Sequence, residues 1–134
     1  MQINQVKSLP CKINFSMDTI RSFSFLINNN MGDTLLIGYD KDKSQYYIDR
    51  TKSGKIDFNK EFAGLHVAPR FSTNSKITLS LIFDVSSVEL FADEGLTVMT
   101  SIYFPAKPYD HIHLNCVNKL TVSSLNYSTL KSIW

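Results

Sequence analysis

The sequence predicts a two-sheet antiparallel β-sandwich of about ten short strands, and three observations support this. Ile, Val and Thr number 12, 7 and 9 among 134 residues, while Ala and Glu together number only 7. β-Branched side chains suit a pleated, half-buried surface, whereas Ala and Glu suit helices. Apolar residues recur at every second position in run after run, the period of a strand with one buried face. Turn residues interrupt these runs about every 8–12 positions, the spacing of an antiparallel sandwich rather than of βαβ units.

Each element follows from that pattern. Residues 1–9 show no clean period and end at Pro10, so 1–9 reads as a lead-in segment and 10–134 as the sandwich domain. Ile13, Phe15 and Met17 alternate with Lys12, Asn14 and Ser16; Phe23, Phe25 and Ile27 alternate with Ser22 and Ser24. The stretch Asn28-Asn29-Asn30-Met31-Gly32-Asp33 is a turn, because Asn, Gly and Asp tolerate left-handed backbone angles. Leu35, Ile37 and Tyr39 form the next strand, and Gln45–Arg50 follows across a polar turn as its hairpin partner. Residues 51–75 are irregular, with room for one short strand within 61–68. In Lys76–Val85, Ile77, Leu79, Leu81 and Phe83 point one way; Val88–Ala92 follows. Asp93-Glu94-Gly95 makes a tight turn, with Gly supplying positive φ. Beyond it, Leu96, Val98, Ile102 and Phe104 form the expected inward set, so Met99 and Tyr103 fall on the opposite face. Two last strands cover His111–Val117 and Leu120–Tyr127.

Composition bounds the function. The length fits one domain. A net charge of +2 with both signs scattered argues against nucleic acid, which needs a basic stripe. No window approaches 18 consecutive apolar residues, so no membrane-spanning helix is expected, and the first ten residues lack an apolar signal core. Two cysteines, Cys11 and Cys116, are too few for a disulfide scaffold. They read as two buried thiols, with a bridge between first and late strands as the alternative.

Candidate chemistry is sparse. Glycosidases need two carboxyl groups facing one cleft. The three Glu, at 61, 89 and 94, show no alternation along one strand, and Glu89 reads as a solvent-face or inter-domain residue. His111 and His113 share one strand face but lack an evident third ligand, so no metal site and no cofactor is expected. Tyr39, Tyr46, Tyr47, Asp49 and Arg50 lie on one hairpin and are the more promising group. Sugar sites combine an aromatic face with carboxylate and guanidinium hydrogen bonds. The competing reading places Tyr46 and Ile48 in the core, with Asp49 and Arg50 touching another domain, and it is the preferred one.

Three stretches are informative as a set: Ile37-Gly38-Tyr39-Asp40, Tyr46 through Gly54, and Ser86 through Thr100. With the closing Leu130-Lys131-Ser132-Ile133-Trp134, this chain resembles the C-terminal β-sandwich module of glycoside hydrolase family 32, over roughly residues 10–134. That family contains levanases, inulinases and invertases. The resemblance implies a lectin-like (concanavalin A-like) layering and a missing five-bladed catalytic propeller in the same parent chain as partner. It also implies a secreted or periplasmic parent and retaining hydrolysis of fructosyl bonds without a cofactor. The propeller's segments Trp-Met-Asn-Asp-Pro-Asn-Gly, Arg-Asp-Pro and Glu-Cys have no counterpart here, since no Asp-Pro or Glu-Cys pair exists in the sequence. No catalytic residue therefore carries over. The expectation is a non-catalytic accessory module, with a free-standing carbohydrate-binding module as the alternative and fructan oligosaccharide as its ligand. Residues expected to touch substrate or the partner domain are Tyr39, Tyr47, Asp49, Arg50, Glu89 and Phe91. Leu26, Leu36, Ile82, Phe91, Met99 and Tyr103 are expected to leave an apolar patch, centred on Phe91 and Tyr103, where the partner domain would sit.

Overall fold

The computed structural model describes residues 2–5, 11–52, 64–103, 105, 107, 109–116 and 122–129. Eleven strands run β1 (Gln2–Gln5), β2 (Cys11–Met17), β3 (Phe23–Asn28), β4 (Thr34–Asp40), β5 (Gln45–Asp49), β6 (Leu65–Pro69), β7 (Ile77–Phe83), β8 (Ser87–Ala92), β9 (Thr97–Ile102), β10 (His111–Cys116) and β11 (Val122–Thr129). They form two antiparallel sheets, one of six strands in the order β1-β10-β3-β4-β5-β6 and one of five in the order β11-β2-β7-β8-β9. The expected all-β sandwich is therefore the fold. Residues 2–5, assigned from sequence to the lead-in segment, form an edge strand whose Gln5 pairs with His111. The sequence Gln-Ile-Asn-Gln is too short and too polar to show a period, so only the pairing partner defines it.

Alternation builds the core. Ile13, Phe15, Phe25, Ile37, Tyr46, Ile48, Leu79, Leu81, Val88 and Leu90 are buried from both sheets. Phe15 of one sheet meets Phe23 and Phe25 of the other at centroid distances of 4.8 and 5.5 Å. Edge-to-face and tilted pairs of this kind add to the burial itself.

The last hairpin runs in the opposite phase to the one expected. In β9, Thr97, Met99 and Ser101 face the core, while Val98, Thr100 and Ile102 face out. The partner strand sets this: Leu90 and Ala92 point inward, and Met99 and Thr97 stand directly opposite them. Register dictates which face each residue takes, and a one-residue slip reverses all of them. The tight turn itself holds, with Asp93, Glu94 and Gly95 at φ of 54°, 61° and 89°. Tyr103, expected at the surface, is fully buried and donates its hydroxyl hydrogen toward Asp84 O and Ser87 O at 2.9 and 2.8 Å. It closes the end of the sandwich against Tyr109, 5.2 Å away.

Cys11 on β2 and Cys116 on β10 are both thiols, so the bridged alternative does not hold, and of the two only Cys11 is fully buried. Residues 53–63, including Glu61, and the closing 130–134 lie outside the described residues.

Candidate functional site

The promising hairpin separates into inward and outward sets. Tyr39 and Tyr46 face the core 5.0 Å apart, and Tyr39 also lies over Phe23. Tyr47 and Asp49 face outward, as alternation requires. Asp49 Oδ1 accepts from the backbone and hydroxyl of Thr51 at 3.0 and 2.7 Å, so it caps its own turn. Arg50 turns inward and is only 6% exposed. Its Nη1 donates to Ile102 O of the facing sheet at 3.0 Å, and Nη2 lies 2.8 Å from His66 Nε2. Asp49 and Arg50 therefore do not form a pair for one ligand.

Arg50 belongs to a seam that joins β6 to β9 across the sandwich. Thr97 Oγ1 donates to Pro69 O at 2.9 Å. Asp93, 6% exposed, accepts the Tyr46 hydroxyl at 2.7 Å and Arg70 Nε at 3.1 Å on the same oxygen. Burial, the largest single influence, works against the Arg70 cation, but the charge and hydrogen bond of Asp93 together with Tyr46 outweigh it and hold the guanidinium pKa above its ordinary value. Burial first, and then Asp93, push the Tyr46 phenol well above the usual range. Sequence reading missed this triad because its members lie far apart in the chain. The same engagement removes Asp93 from any catalytic pairing with Glu89, which is exposed on the outer face of β8.

A groove with room for a ligand lies on the outer face of the six-stranded sheet. Strand register lines up Asn115, Ser24, Gly38, Tyr47 and Val67 in one row across β10, β3, β4, β5 and β6. Gly38 is required by close approach. A Cβ there would lie 2.7 Å from the Tyr47 hydroxyl oxygen and 2.8 Å from its Cζ, and would run into Phe23 O. The end of the Tyr47 ring thus rests on bare backbone. Burial pushes the Tyr47 phenol pKa up, the neighbouring Ser24 side chain opposes this, and Asp40 and Asp49 add to the rise. Around this ring lies an open groove of about 650 Å³ lined also by Ser22, Asp40, Leu65 and Cys116. A second groove, about 480 Å³, lies on the outer face of the five-stranded sheet beside Phe91, Asn14 and Ser80. The two histidines of β10 are half-buried, and His111 Nδ1 is 2.7 Å from Asp110 Oδ1. Among the described residues, no three His, Cys, Asp or Glu side chains gather as a metal site.

Residues 3–131 match the model of the glycosyl hydrolases family 32 C-terminal domain. The chain belongs to that family. It is 32% identical to a levanase of Bacillus subtilis (strain 168) over 114 residues, which is 84% of this chain and 17% of the levanase. The crystal structure of exo-inulinase from Aspergillus awamori superimposes at a TM-score of 0.83 with 25% identity, covering 100% of this chain and 27% of that one. A variant of human galectin-16 superimposes at 0.66 with 7% identity over 96% of this chain and 94% of that one, a likeness of fold alone. This family 32 domain thus corresponds to the C-terminal part of longer chains and spans only a minor share of their length.

Proposed function

We propose that this domain is the non-catalytic C-terminal buttress of a fructan- or sucrose-hydrolysing glycosidase, packed against a catalytic five-bladed propeller in the same parent chain. The observation that carries this reading is the match of residues 3–131 to a C-terminal domain model, together with an alignment that covers only 17% of the related levanase. Two further features support it. The carboxylates nearest the family-like hairpin are engaged in the fold or lie apart: Asp93 is held in the seam, and Glu89 faces outward. Exposed apolar side chains also flank the seam, with Leu65 and Val67 on β6, Phe71 just beyond it, and Leu96, Val98 and Ile102 on and before β9. These residues sit on or next to the edge strands of the two sheets, one group on each side of the seam, where a domain packed against that edge would cover them.

The proposed contact differs from the one expected from sequence. Met99 and Tyr103 are in the core, and Leu26, Leu36, Ile82 and Phe91 are only half-buried on outer faces. The inverted phase of β9 accounts for the exchange of Met99 for Val98 and Ile102. The test has two parts. The purified domain should release no fructose from sucrose, inulin or levan, and release by this chain would overturn the reading. In the parent chain, Val67→Lys with Val98→Lys should lower the melting temperature of the catalytic unit, while the same pair leaves the isolated domain nearly unchanged. A parent enzyme indifferent to the pair would exclude this edge as the contact.

A further inference from the structure

We propose that the groove over Tyr47 and Gly38 is a saccharide site, taking a neutral sugar ring of an oligosaccharide on the outer face of the six-stranded sheet. This goes beyond the buttress reading and does not depend on it.

The first argument is shape. Ring-stacking sites need an aromatic side chain held flat and fixed, since a mobile one loses in ordering what it gains in contact. Tyr47 is held at both ends. Its backbone sits inside β5, between β4 and β6, and its hydroxyl end lies where a Gly38 side chain would begin. Glycine inside a strand ordinarily weakens it and marks a close approach. Here the approach is made by a half-buried tyrosine facing solvent, a position the core does not need filled.

The second argument is the rim. Ser24 and Asn115 supply a hydroxyl and an amide beside the ring, Leu65 extends the apolar floor, and Ser22 and Asp40 complete the rim, held in place as acceptors of the Lys41 and Asp42 backbone N–H groups. A sugar presents the same division, with an apolar C–H face and a hydroxyl edge. Ligand sites commonly pair a mostly apolar wall with a few polar groups and have volumes of about 300–1,000 Å³; this groove falls within that range.

The third argument is charge. Among the described residues, none that lines the groove is Lys or Arg, and Asp40 lies on its rim. Asp49 also acts on the Tyr47 hydroxyl. Such a site offers no lining cation to a phosphate or carboxylate and suits neutral hydroxyl groups.

The test is a titration of the isotope-labelled domain, followed by backbone amide shifts. The probes are short β-2,1-linked and β-2,6-linked fructo-oligosaccharides, cellotetraose, and a sugar phosphate. At least one neutral oligosaccharide should move the amides of Ser24, Gly38, Tyr47 and Asn115, with a dissociation constant on the order of 1 mM. The sugar phosphate should bind more weakly. Tyr47→Ala should weaken binding by about tenfold or more, the loss of one stacking partner. Phe91→Ala should leave it unchanged. Should Tyr47→Ala fail to fold, Asn115→Ala at the exposed end of β10 should weaken binding several-fold instead. The site is refuted if these amides stay still up to tens of millimolar for every neutral probe, if shifts centre on Ser80 and Phe91, or if affinity survives the substitutions. Failure of the Val67/Val98 experiment would leave this titration untouched, and the reverse also holds.

Discussion

The two outer faces of the sandwich carry rows of the same plan, asparagine at one end, valine at the other and an aromatic ring beside the valine, and the middle position sets them apart. On the six-stranded sheet the row is Asn115, Ser24, Gly38, Tyr47, Val67. On the five-stranded sheet it is Asn126, Asn14, Ser80, Phe91, Val98. Each has an aromatic residue one strand in from the edge, a valine outside it and an asparagine at the far end. Where the first has Gly38, the second has Ser80, whose hydroxyl donates to Asn14 Oδ1 at 2.7 Å. That hydrogen bond engages the Ser80 hydroxyl and the Asn14 amide oxygen within the sheet. On the other face the absent side chain lets an aromatic ring rest on backbone, while the polar groups beside it face a groove. Both surfaces carry a groove, about 650 Å³ over Tyr47 and about 480 Å³ beside Phe91, but only the first has its aromatic ring seated on bare backbone.

The largest effect should come from damaging what both faces share. Arg70→Leu leaves the Asp93 carboxylate, only 3% exposed, with the Tyr46 hydroxyl as its remaining side-chain partner. Removing one member of a buried pair costs about 3–5 kcal/mol. Urea unfolding should register that loss, and amide shifts should spread to both outer faces. A loss below about 1 kcal/mol, the range of a surface pair, would mean that the seam does not hold the sheets together.

Gly38→Val should act on one face only. The new side chain must displace Tyr47 and press on Phe23 O, an overpacking cost of about 1–3 kcal/mol. Shifts confined to β3, β4 and β5, with the Phe91 groove unchanged, would sharpen the contrast between faces. Wild-type stability in this variant would show that Tyr47 does not rest where it is described. The opposite face offers a gentler counterpart. Ser80→Ala removes one hydrogen bond from Asn14 at a half-buried position, a cost of about 1 kcal/mol. Its denaturation midpoint should move less than that of Gly38→Val, and a larger shift would reverse the proposed ranking.

Sequence alternation made the layering legible, because in β2, β3, β4, β5, β7 and β8 the alternating apolar residues are the ones that are buried. In β9 the two sets diverge. Its large apolar residues Val98 and Ile102 face out, and its small polar Thr97 and Ser101 face in, so hydrophobicity alone gives the wrong phase. Only the partner strand reveals it. Gly38 was visible inside a strand pattern, and such a glycine is a signal for close approach, but what approaches it depends on the register with β5. Local sequence marks Asn29 only as a turn residue. In the structure its amide accepts from the Met31 and Asp33 backbone and donates to Lys107 O at 2.8 Å, a long-range link that local sequence does not encode.

The smallest effect expected is a dependence on pH located between the faces. His66 Nε2 lies 2.8 Å from Arg50 Nη2, and a guanidinium only donates, so this ring nitrogen must be the acceptor and the imidazole neutral. Burial and then the Arg50 charge lower the His66 pKa below its ordinary value near 6.5. Arg50 itself is held by Ile102 O across the seam, so the pair cannot simply swing apart. Between the lowered folded value and the unfolded one, the unfolded chain binds the extra proton. Stability should therefore be full above about pH 6.5, decline as pH falls through that window, and level off once the folded imidazole is protonated too. The decline should be modest, because the ring is only half-buried and water screens the repulsion. Urea midpoints measured from pH 8 to pH 5 would show it. His66→Gln keeps an acceptor for Arg50 but cannot take up a proton, so this part of the slope should vanish while the neutral-pH midpoint barely moves. Both grooves should be indifferent throughout, since Arg50 and His66 meet inside the edge and neither lines a groove. A slope that survives His66→Gln would assign the effect to other groups, and Tyr47 amide shifts following the same midpoint would show that the seam and the open face are coupled after all.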